Sequence, residues 1–169
     1  RYLWSTDIAR HLAEAMAQQP HLHVVVVVPR FPDEDGRWSG PPNRLGQLIA
    51  LRHLREAGGS RLAVYDLEVD GFPVYVHAKI CIVDDVWMMV GSDNMNRRSW
   101  THDSELSCSI LDDTHDEREP RDPAGLGDGA RRLARDTRLH LWREHLGRTT
   151  AAAATFIVRS DRPCTDGRS

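Results

Sequence analysis

Five consecutive valines at positions 24–28 constrain the fold of this chain more than any other feature. A half-exposed strand alternates apolar and polar side chains, so an unbroken β-branched run predicts a strand that is buried on both faces. The stretches 76–83 and 86–90 are similarly apolar, and the Asp84-Asp85 pair between them predicts a tight hairpin turn. We therefore expect these three strands to lie in one mixed sheet that helices cover on both faces.

Helical periodicity accounts for the segments around these strands. Apolar side chains recur at helical spacing in three stretches, 4–18, 43–57 and 130–146. Asn43 is a candidate N-cap of the second helix, and Gly58-Gly59 is a stop signal at its end. Two more strands are predicted at 61–67 and 105–111. Helices that alternate with apolar strands define the fold class as α/β, with a mixed sheet between layers of helices.

Size and composition fit one globular domain. The chain has 169 residues, and 40% of them are hydrophobic, which is enough to bury a core. We expect residues 1–147 to form this domain and residues 148–169 to be a poorly ordered tail. Because the first residue is Arg1, we expect the chain to be the later part of a longer protein. Its compartment is then undetermined, with a cytoplasmic or membrane-peripheral position favoured over secretion.

Charge and cysteine content argue against several classes of site. The formal net charge is −3, which gives no overall attraction to nucleic acid. The three cysteines have no CxxC spacing, which argues against a zinc site or a disulfide framework. The pair His21/His23 has no accompanying cluster of cysteines or acids, and His140 and His145 are five residues apart on a predicted helix, off the i, i+4 spacing of a metal pair. No metal and no cofactor are expected.

The segment 76–111 carries the candidate chemistry. His77 and Lys79 are two residues apart on a predicted strand, so their side chains should point to the same face. Burying a lysine in so apolar a strand is unfavourable unless the ammonium meets an anion. An imidazole beside an ammonium suits a phosphate site, because one group can attack or transfer a proton while the other balances oxyanion charge.

Polar residues follow the predicted hairpin. Gly91 lets the backbone approach closely, and Ser92 and Asn94 offer neutral donors to phosphoryl oxygens. Asp84 lies five residues after Lys79, so in an unbroken strand it faces away from this site. We therefore interpret Asp84 as a turn or framework residue rather than as a base that acts on substrate.

An ordered motif in this segment resembles the HKD signature of the phospholipase D superfamily: His77-x-Lys79-x4-Asp84-x6-Gly91-Ser92-x-Asn94. The residues after it resemble the extension in the second motif of two-motif phospholipases D: Asn96, Arg98-Ser99 and Asp103-Ser104-Glu105. The likeness covers roughly residues 1–147, so the chain resembles the C-terminal half of such a protein.

The resemblance implies a mechanism in which two motifs meet. One histidine attacks phosphorus and forms a phosphohistidine, while the other protonates the leaving alcohol and then activates water or another alcohol, without a metal. The resemblance gives His77 the acid/base role and makes Asp84 the third motif residue. It implies that Lys79 and Asn94 bind the phosphoryl oxygens and that Glu105 orients a histidine. His77, Lys79 and Asn94 should then converge on one pocket.

Only one such motif is present, so a complete site needs a second half. The expected substrate is a phospholipid at a membrane surface, and the second half would come from a preceding N-terminal region or from a homodimer mate. Two alternatives stay open: a single-motif homodimer that cuts nucleic acid, which the acidic balance disfavours, and a non-catalytic truncated half-domain. Trp38 and Trp100 lie in or beside loops near the motif, where they either line a lipid-facing rim or pack internally.

Overall fold

The computed structural model describes residues 7–31 and 40–147, which fall into two compact units. The first unit holds residues 7–31, 40–77 and 94–103, and the second holds residues 78–93 and 104–147. The expected tail at 148–169 and the start of the first predicted helix lie outside the described residues.

Eleven named elements follow one another in the described residues. In chain order they are α1 (Ile8–Gln18), β1 (Val24–Val27), α2 (Gly40–Gly58), β2 (Leu62–Tyr65), β3 (Leu67–Val69), β4 (Phe72–Val74), β5 (Ile80–Val83), β6 (Trp87–Gly91), α3 (Arg97–Thr101), β7 (Ser107–Leu111) and α4 (Arg132–His145). A short 3-10 turn, Gly59–Arg61, joins α2 to β2. Helices and strands are interspersed, which confirms the α/β class.

The first unit is built on a parallel pair of strands. β1 pairs with β2 in the register Val24↔Leu62 to Val27↔Tyr65, and α2 is the crossover that parallel pairing requires. The apolar core here centres on Met16, Leu54 and Leu62, with Val24 and Val26 packed against it. Val25, which points the other way, keeps 50% of its surface exposed. The valine run is therefore half buried, and the prediction that both faces are covered is wrong for this side chain.

The strands do not share one sheet, which corrects the sequence-based expectation. In the described residues β1 pairs with β2, β3 pairs with β4, and β5, β6 and β7 form a third sheet. A strand joins a sheet through a backbone ladder, and the stretch 75–79 belongs to no strand. The apolar run at 76–83 therefore forms a ladder only from Ile80 onward, with β6 as its partner. Hydrophobicity predicted strands here but could not predict their partners.

The structure also contains one hairpin that the sequence analysis missed, and it corrects one predicted helix cap. The β3–β4 hairpin, which the sequence analysis missed, turns at Asp70 and Gly71, with φ values of 51° and 86°. Asp-Gly is a favoured pair for such a left-handed two-residue turn, so the signal was present in the sequence. Asn43 is not the N-cap of α2, because that helix begins three residues earlier, at Gly40. Asn43 lies within the first turn of the helix, and it is buried.

Arg61 joins the ends of two helices in the first unit. Its Nη1 donates to the carbonyls of Gln19 (2.9 Å) and Leu22 (3.0 Å), and its Nη2 donates to those of Met16 (2.8 Å) and Ala57 (3.3 Å). Carbonyls at the C-terminus of a helix lack partners within the helix, so one guanidinium satisfies groups of α1 and of α2 together. Its position directly before β2 fixes both helices against the parallel pair.

We predict that Arg61→Met lowers the free energy of unfolding by about 2–3 kcal/mol, because several charge-assisted hydrogen bonds are lost together. The measurement is urea unfolding followed by circular dichroism. Arg52→Met on α2 is the matched control, since Arg52 makes an exposed 2.7 Å pair with Glu56 and should matter little. Equal effects of the two variants would contradict the role assigned to Arg61.

Candidate active-site residues

The β5–β6 hairpin is present and turns at the predicted pair of acids. Asp84 and Asp85 both adopt left-handed backbone conformations, with φ values of 55° and 59°, and the Val86 N–H donates to the Val83 carbonyl at 2.9 Å. Aspartate tolerates this region better than most residues because its side chain is short and polar. The hairpin prediction is confirmed, and Asp84 lies in the turn with its side chain exposed.

Asp84 is a turn residue, as predicted, whereas the framework contacts of this turn are made by its neighbour Asp85. Asp85 is only 2% exposed, and its Oδ1 accepts from Arg138 Nε at 2.5 Å. Its Oδ2 accepts from Arg138 Nη2 at 2.7 Å and from Arg135 Nε at 3.3 Å. The sequence analysis missed this residue, because the two arginines lie about fifty positions further along the chain.

The electrostatics of Asp85 follow from these contacts. Burial by itself raises the pKa of the carboxyl, but the hydrogen bond and charge of Arg138, and then those of Arg135, outweigh it. The net effect is a pKa below the ordinary value of aspartate. In the same unit the hydrogen bond from Arg118 holds the pKa of Asp116 well below its usual range, although burial opposes it.

Lys79 and Gly91 lie opposite each other where the β5–β6 ladder ends. The Gly91 N–H donates to the Lys79 carbonyl at 3.1 Å, and Gly91 pairs with Ser107 on its other side. A Cβ at Gly91 would lie 2.7 Å from the Ser107 Cα, closer than real side chains approach. The close backbone approach that the sequence predicts at Gly91 is therefore the approach of the neighbouring strand β7.

Ser92 and Glu105 come together directly beyond this ladder. The Ser92 hydroxyl donates to Glu105 Oε2 at 2.5 Å and accepts from the Leu106 N–H at 3.0 Å. A serine hydroxyl has one proton, so in this arrangement that proton is committed to the carboxylate. Ser92 therefore anchors the segment that carries Glu105 directly before β7, and its expected donation to a phosphoryl oxygen would require this hydrogen bond to open.

Asn94 has a fixed backbone and an exposed side chain. Its N–H donates to Ser99 Oγ at 3.1 Å, and its carbonyl accepts from Trp100 Nε1 at 3.0 Å and from the Asn96 N–H at 2.7 Å. Asn96 in turn caps α3, because its Oδ1 accepts from the Ser99 N–H at 2.9 Å. The short helix α3, which the sequence analysis did not predict, thus holds the backbone of Asn94 in place, and the residue is exposed.

His77 is an exposed residue on the segment 75–79, which lies between β4 and β5 and belongs to no strand. The rings of Tyr75 and His77 stack with centroids 5.8 Å apart and an interplanar angle of 28°. Residues two apart in an extended chain project to the same side, which explains this contact. Aromatic pairs at such distances attract each other modestly, so Tyr75 restricts the orientation of the imidazole. The alternation of the sequence could have identified Tyr75, which the sequence analysis passed over.

The predicted site residues divide between the two units. His77 and Asn94 belong to the first, whereas Lys79, Asp84, Ser92 and Glu105 belong to the second. The convergence of His77, Lys79 and Asn94 on one pocket and the contact of Glu105 with a histidine therefore stay predictions. Among the described residues there is no group of His, Cys, Asp and Glu side chains suited to a metal ion. Within the same ranges, no helix combines the length and hydrophobicity of a membrane span.

Comparisons with known proteins place the chain in a family. The family model described as "Cardiolipin synthase, PLD-like domain" matches residues 2–118. Phospholipase D delta of Arabidopsis thaliana is 38% identical over 96 residues, which cover 55% of this chain and 10% of that protein. Phospholipase D A of Dictyostelium discoideum is 43% identical over 76 residues, which cover 44% of this chain and 6% of that protein. The chain belongs to the phospholipase D superfamily, and it matches a tenth or less of the length of these relatives.

We predict that Asp85→Asn lowers the free energy of unfolding strongly and that Asp84→Asn hardly changes it. Asp85→Asn leaves two arginines without their buried counter-charge, so the free energy of unfolding should fall by about 3 kcal/mol at neutral pH. Asp84→Asn keeps a residue that tolerates the left-handed turn at an exposed position, so its effect should stay within about 0.5 kcal/mol. Urea unfolding of both variants measures the difference, and a larger loss from Asp84→Asn would contradict the assignment.

The pH dependence of stability gives an independent test of the same carboxylate. Because the folded-state pKa of Asp85 is lowered, its contribution is fully present above the unfolded value of about 4 and is lost as pH falls through the folded pKa. The wild-type chain should therefore lose stability below about pH 4, and Asp85→Asn should show a shallower loss there. Parallel pH profiles for the two proteins would show that Asp85 is not the titrating group.

Proposed function

We propose that this chain supplies one half-site for phosphodiester hydrolysis or transphosphatidylation on phospholipids. Membership of the phospholipase D superfamily supports this class of chemistry. The observation that carries the proposal is the exposure of His77 and Asn94, while the acids Glu105 and Asp85 are bound to other protein groups. Glu105 accepts from Ser92 and Asp85 is paired with arginines, which reduces their repulsion of an anionic phosphodiester.

The proposed reaction has two displacements at phosphorus. In the first, a histidine nitrogen of the second half-site forms a bond to phosphorus, and the bond from phosphorus to the leaving alcohol oxygen breaks. His77 gives its proton to that oxygen as general acid. In the second, His77 takes a proton from water or from another alcohol, whose oxygen attacks phosphorus and releases the first histidine. No metal takes part in either displacement.

Lys79 and Asn94 stabilise the charge that develops on the non-bridging oxygens. An ammonium supplies a full positive charge, and an amide N–H₂ supplies directional donors. The hydrogen-bonded backbone of Asn94 supports this role, because it reduces the reorganisation needed to bring the amide to a phosphoryl oxygen. Glu105 is proposed to orient one of the two imidazoles, in addition to its hydrogen bond with Ser92.

One motif is insufficient for this sequence of steps. Once an imidazole nitrogen is bonded to phosphorus, that ring no longer serves as the acid for the leaving group. General acid catalysis is typically worth about 10²–10⁴-fold, so a lone half-site should be severely impaired. The second half would come from an N-terminal region of a longer protein or from a second copy across a two-fold axis.

We predict that the monomeric chain hydrolyses phosphatidylcholine no faster than a His77→Ala variant. Turnover should rise with the dimer fraction, or when a chain carrying a second HKD motif is added. Choline release at increasing protein concentration, with molar mass followed by light scattering, measures this. His53→Ala is the control, since His53 is an exposed histidine on α2 outside the motif. Robust, His77-dependent turnover by a strict monomer would exclude the half-site proposal.

The leaving group distinguishes the acid role of His77 from the nucleophile role. In the complete assembly, His77→Ala should slow release of choline by at least about 100-fold, because an alkoxide needs a proton. It should slow the first-turnover burst of p-nitrophenolate from a p-nitrophenyl phosphodiester much less, because this anion departs unprotonated and the burst precedes the second displacement. Equal losses on both substrates would assign His77 as the nucleophile. Preferential cleavage of DNA would instead support the nuclease alternative.

A further inference from the structure

A small surface with apolar and cationic side chains lies next to Asn94 in the first unit. We define it as the 95–100 surface, formed by Met95, Arg97 and Trp100. Met95 is 46% exposed and Trp100 is 57% exposed. Arg97 and Trp100 are three residues apart on α3 and therefore lie on one side of that helix. Large side chains are thus displayed beside the proposed phosphoryl-binding amide.

The polar atom of Trp100 is already satisfied within the protein. Its Nε1 donates to the Asn94 carbonyl at 3.0 Å, so the rest of the indole presents apolar surface. A tryptophan whose N–H is bonded to water must either lose that hydrogen bond or keep the water molecule with it when the ring is buried. Trp100 can enter an apolar environment without this cost.

The charges around α3 are not equivalent. Arg98 is bound to Asp103, with its Nε 2.7 Å from a carboxylate oxygen, so its charge is balanced within the protein. Arg97 is exposed on the side of Trp100 and extends the surface with a cationic group. An apolar ring with a cation beside it matches a phospholipid surface, where acyl chains lie beneath anionic phosphates.

We infer that the 95–100 surface contacts the phospholipid surface that contains the substrate, with Met95 and Trp100 at the acyl boundary and Arg97 among the phosphates. The inference rests on the proposed function, because it names the part of the chain that meets a lipid substrate. The hydrogen bond from Trp100 to Asn94 links this lipid contact to the proposed site. When the ring is inserted, its N–H holds the carbonyl of Asn94, the residue proposed to bind the phosphoryl group.

The size of the 95–100 surface favours lipid over a protein partner. The exposed parts of Met95 and Trp100 together come to roughly 200 Å². A stable protein interface buries about 800 Å² on each partner, which this surface alone does not provide. Insertion into a lipid surface needs only a few apolar side chains, with affinity added by nearby cations.

Vesicle co-sedimentation tests this inference without requiring turnover. The probes are phosphatidylcholine vesicles with and without a minor fraction of phosphatidic acid. Trp100→Ala and Met95→Ser should each weaken binding by about tenfold, the effect of removing one buried apolar side chain. Arg97→Gln should weaken binding only to the anionic vesicles, with an effect that salt reduces. Circular dichroism checks that each variant is folded.

Matched controls come from the second unit. Trp142→Ala removes another partly exposed tryptophan, and Leu126→Ser removes another exposed aliphatic side chain, and neither should change vesicle binding. Vesicles with bromine-labelled acyl chains give a second measurement, which is made on the folded protein and reports whether a tryptophan reaches the acyl chains. Their quenching of tryptophan fluorescence should diminish in Trp100→Phe and persist in Trp142→Phe.

The outcomes separate this inference from the proposed chemistry. His77→Ala should bind vesicles as the wild-type chain does, since it removes only a reacting group. Binding that depends on Trp100 in an assembly without turnover would keep this inference and overturn the proposed reaction. Unchanged binding by Trp100→Ala and Met95→Ser would overturn the inference. The inference would also be overturned if these variants bound vesicles normally but no longer self-associated in light scattering. The same holds if they bound vesicles normally but no longer bound DNA.

Discussion

The buried carboxylate of Asp85 is the constraint around which the second unit is organised. A charge that is almost fully removed from water is tolerated only with close counter-charges, and here Arg135 and Arg138 supply them. Those arginines lie on one helix, α4, so the β5–β6 turn and that helix are fixed together. The Asp85 carbonyl adds a third connection, because it accepts from the Arg131 N–H at 2.8 Å.

The same ion pair organises the long polar segment before α4. Arg135 also donates to the carbonyls of Arg118 and Pro120, and Asp116 is held between Arg118 and Arg135. These contacts replace water for several backbone and carboxylate groups at once. A segment that looks like an unconstrained polar loop in sequence is therefore built around one helix residue. Removing Asp85 would disturb the partners of the whole group.

The acidic residues of the described chain are largely paired with arginines, which makes the net charge a poor guide to the proposed phosphodiester site. Asp85 and Asp116 neutralise arginines inside the second unit, and Asp103 neutralises Arg98 beside α3. These carboxylates are already paired with cations inside their own units. Net charge describes the chain as a whole, whereas binding of a phosphodiester depends on the few groups within a Debye length of it.

Local sequence determined the features that depend on neighbouring residues. The hairpin at Asp84-Asp85, the helical stretches and the α/β class follow from turn preferences and from periodicity over a few residues. The order of motif residues from His77 to Asn94 also identified the superfamily. The unpredicted α3 was a local failure: its Asn96 cap precedes a helix of only one turn, too short for periodicity to reveal.

The tertiary structure decided what depends on distant partners. Which acid of the Asp84-Asp85 pair is buried was set by Arg135 and Arg138, and the need for glycine at position 91 was set by the approach of Ser107. The division of the strands into three sheets was likewise set by backbone pairing, which hydrophobic runs alone do not specify. Burial and hydrogen bonding between segments far apart in the chain contribute several kcal/mol, more than the preferences that local sequence expresses.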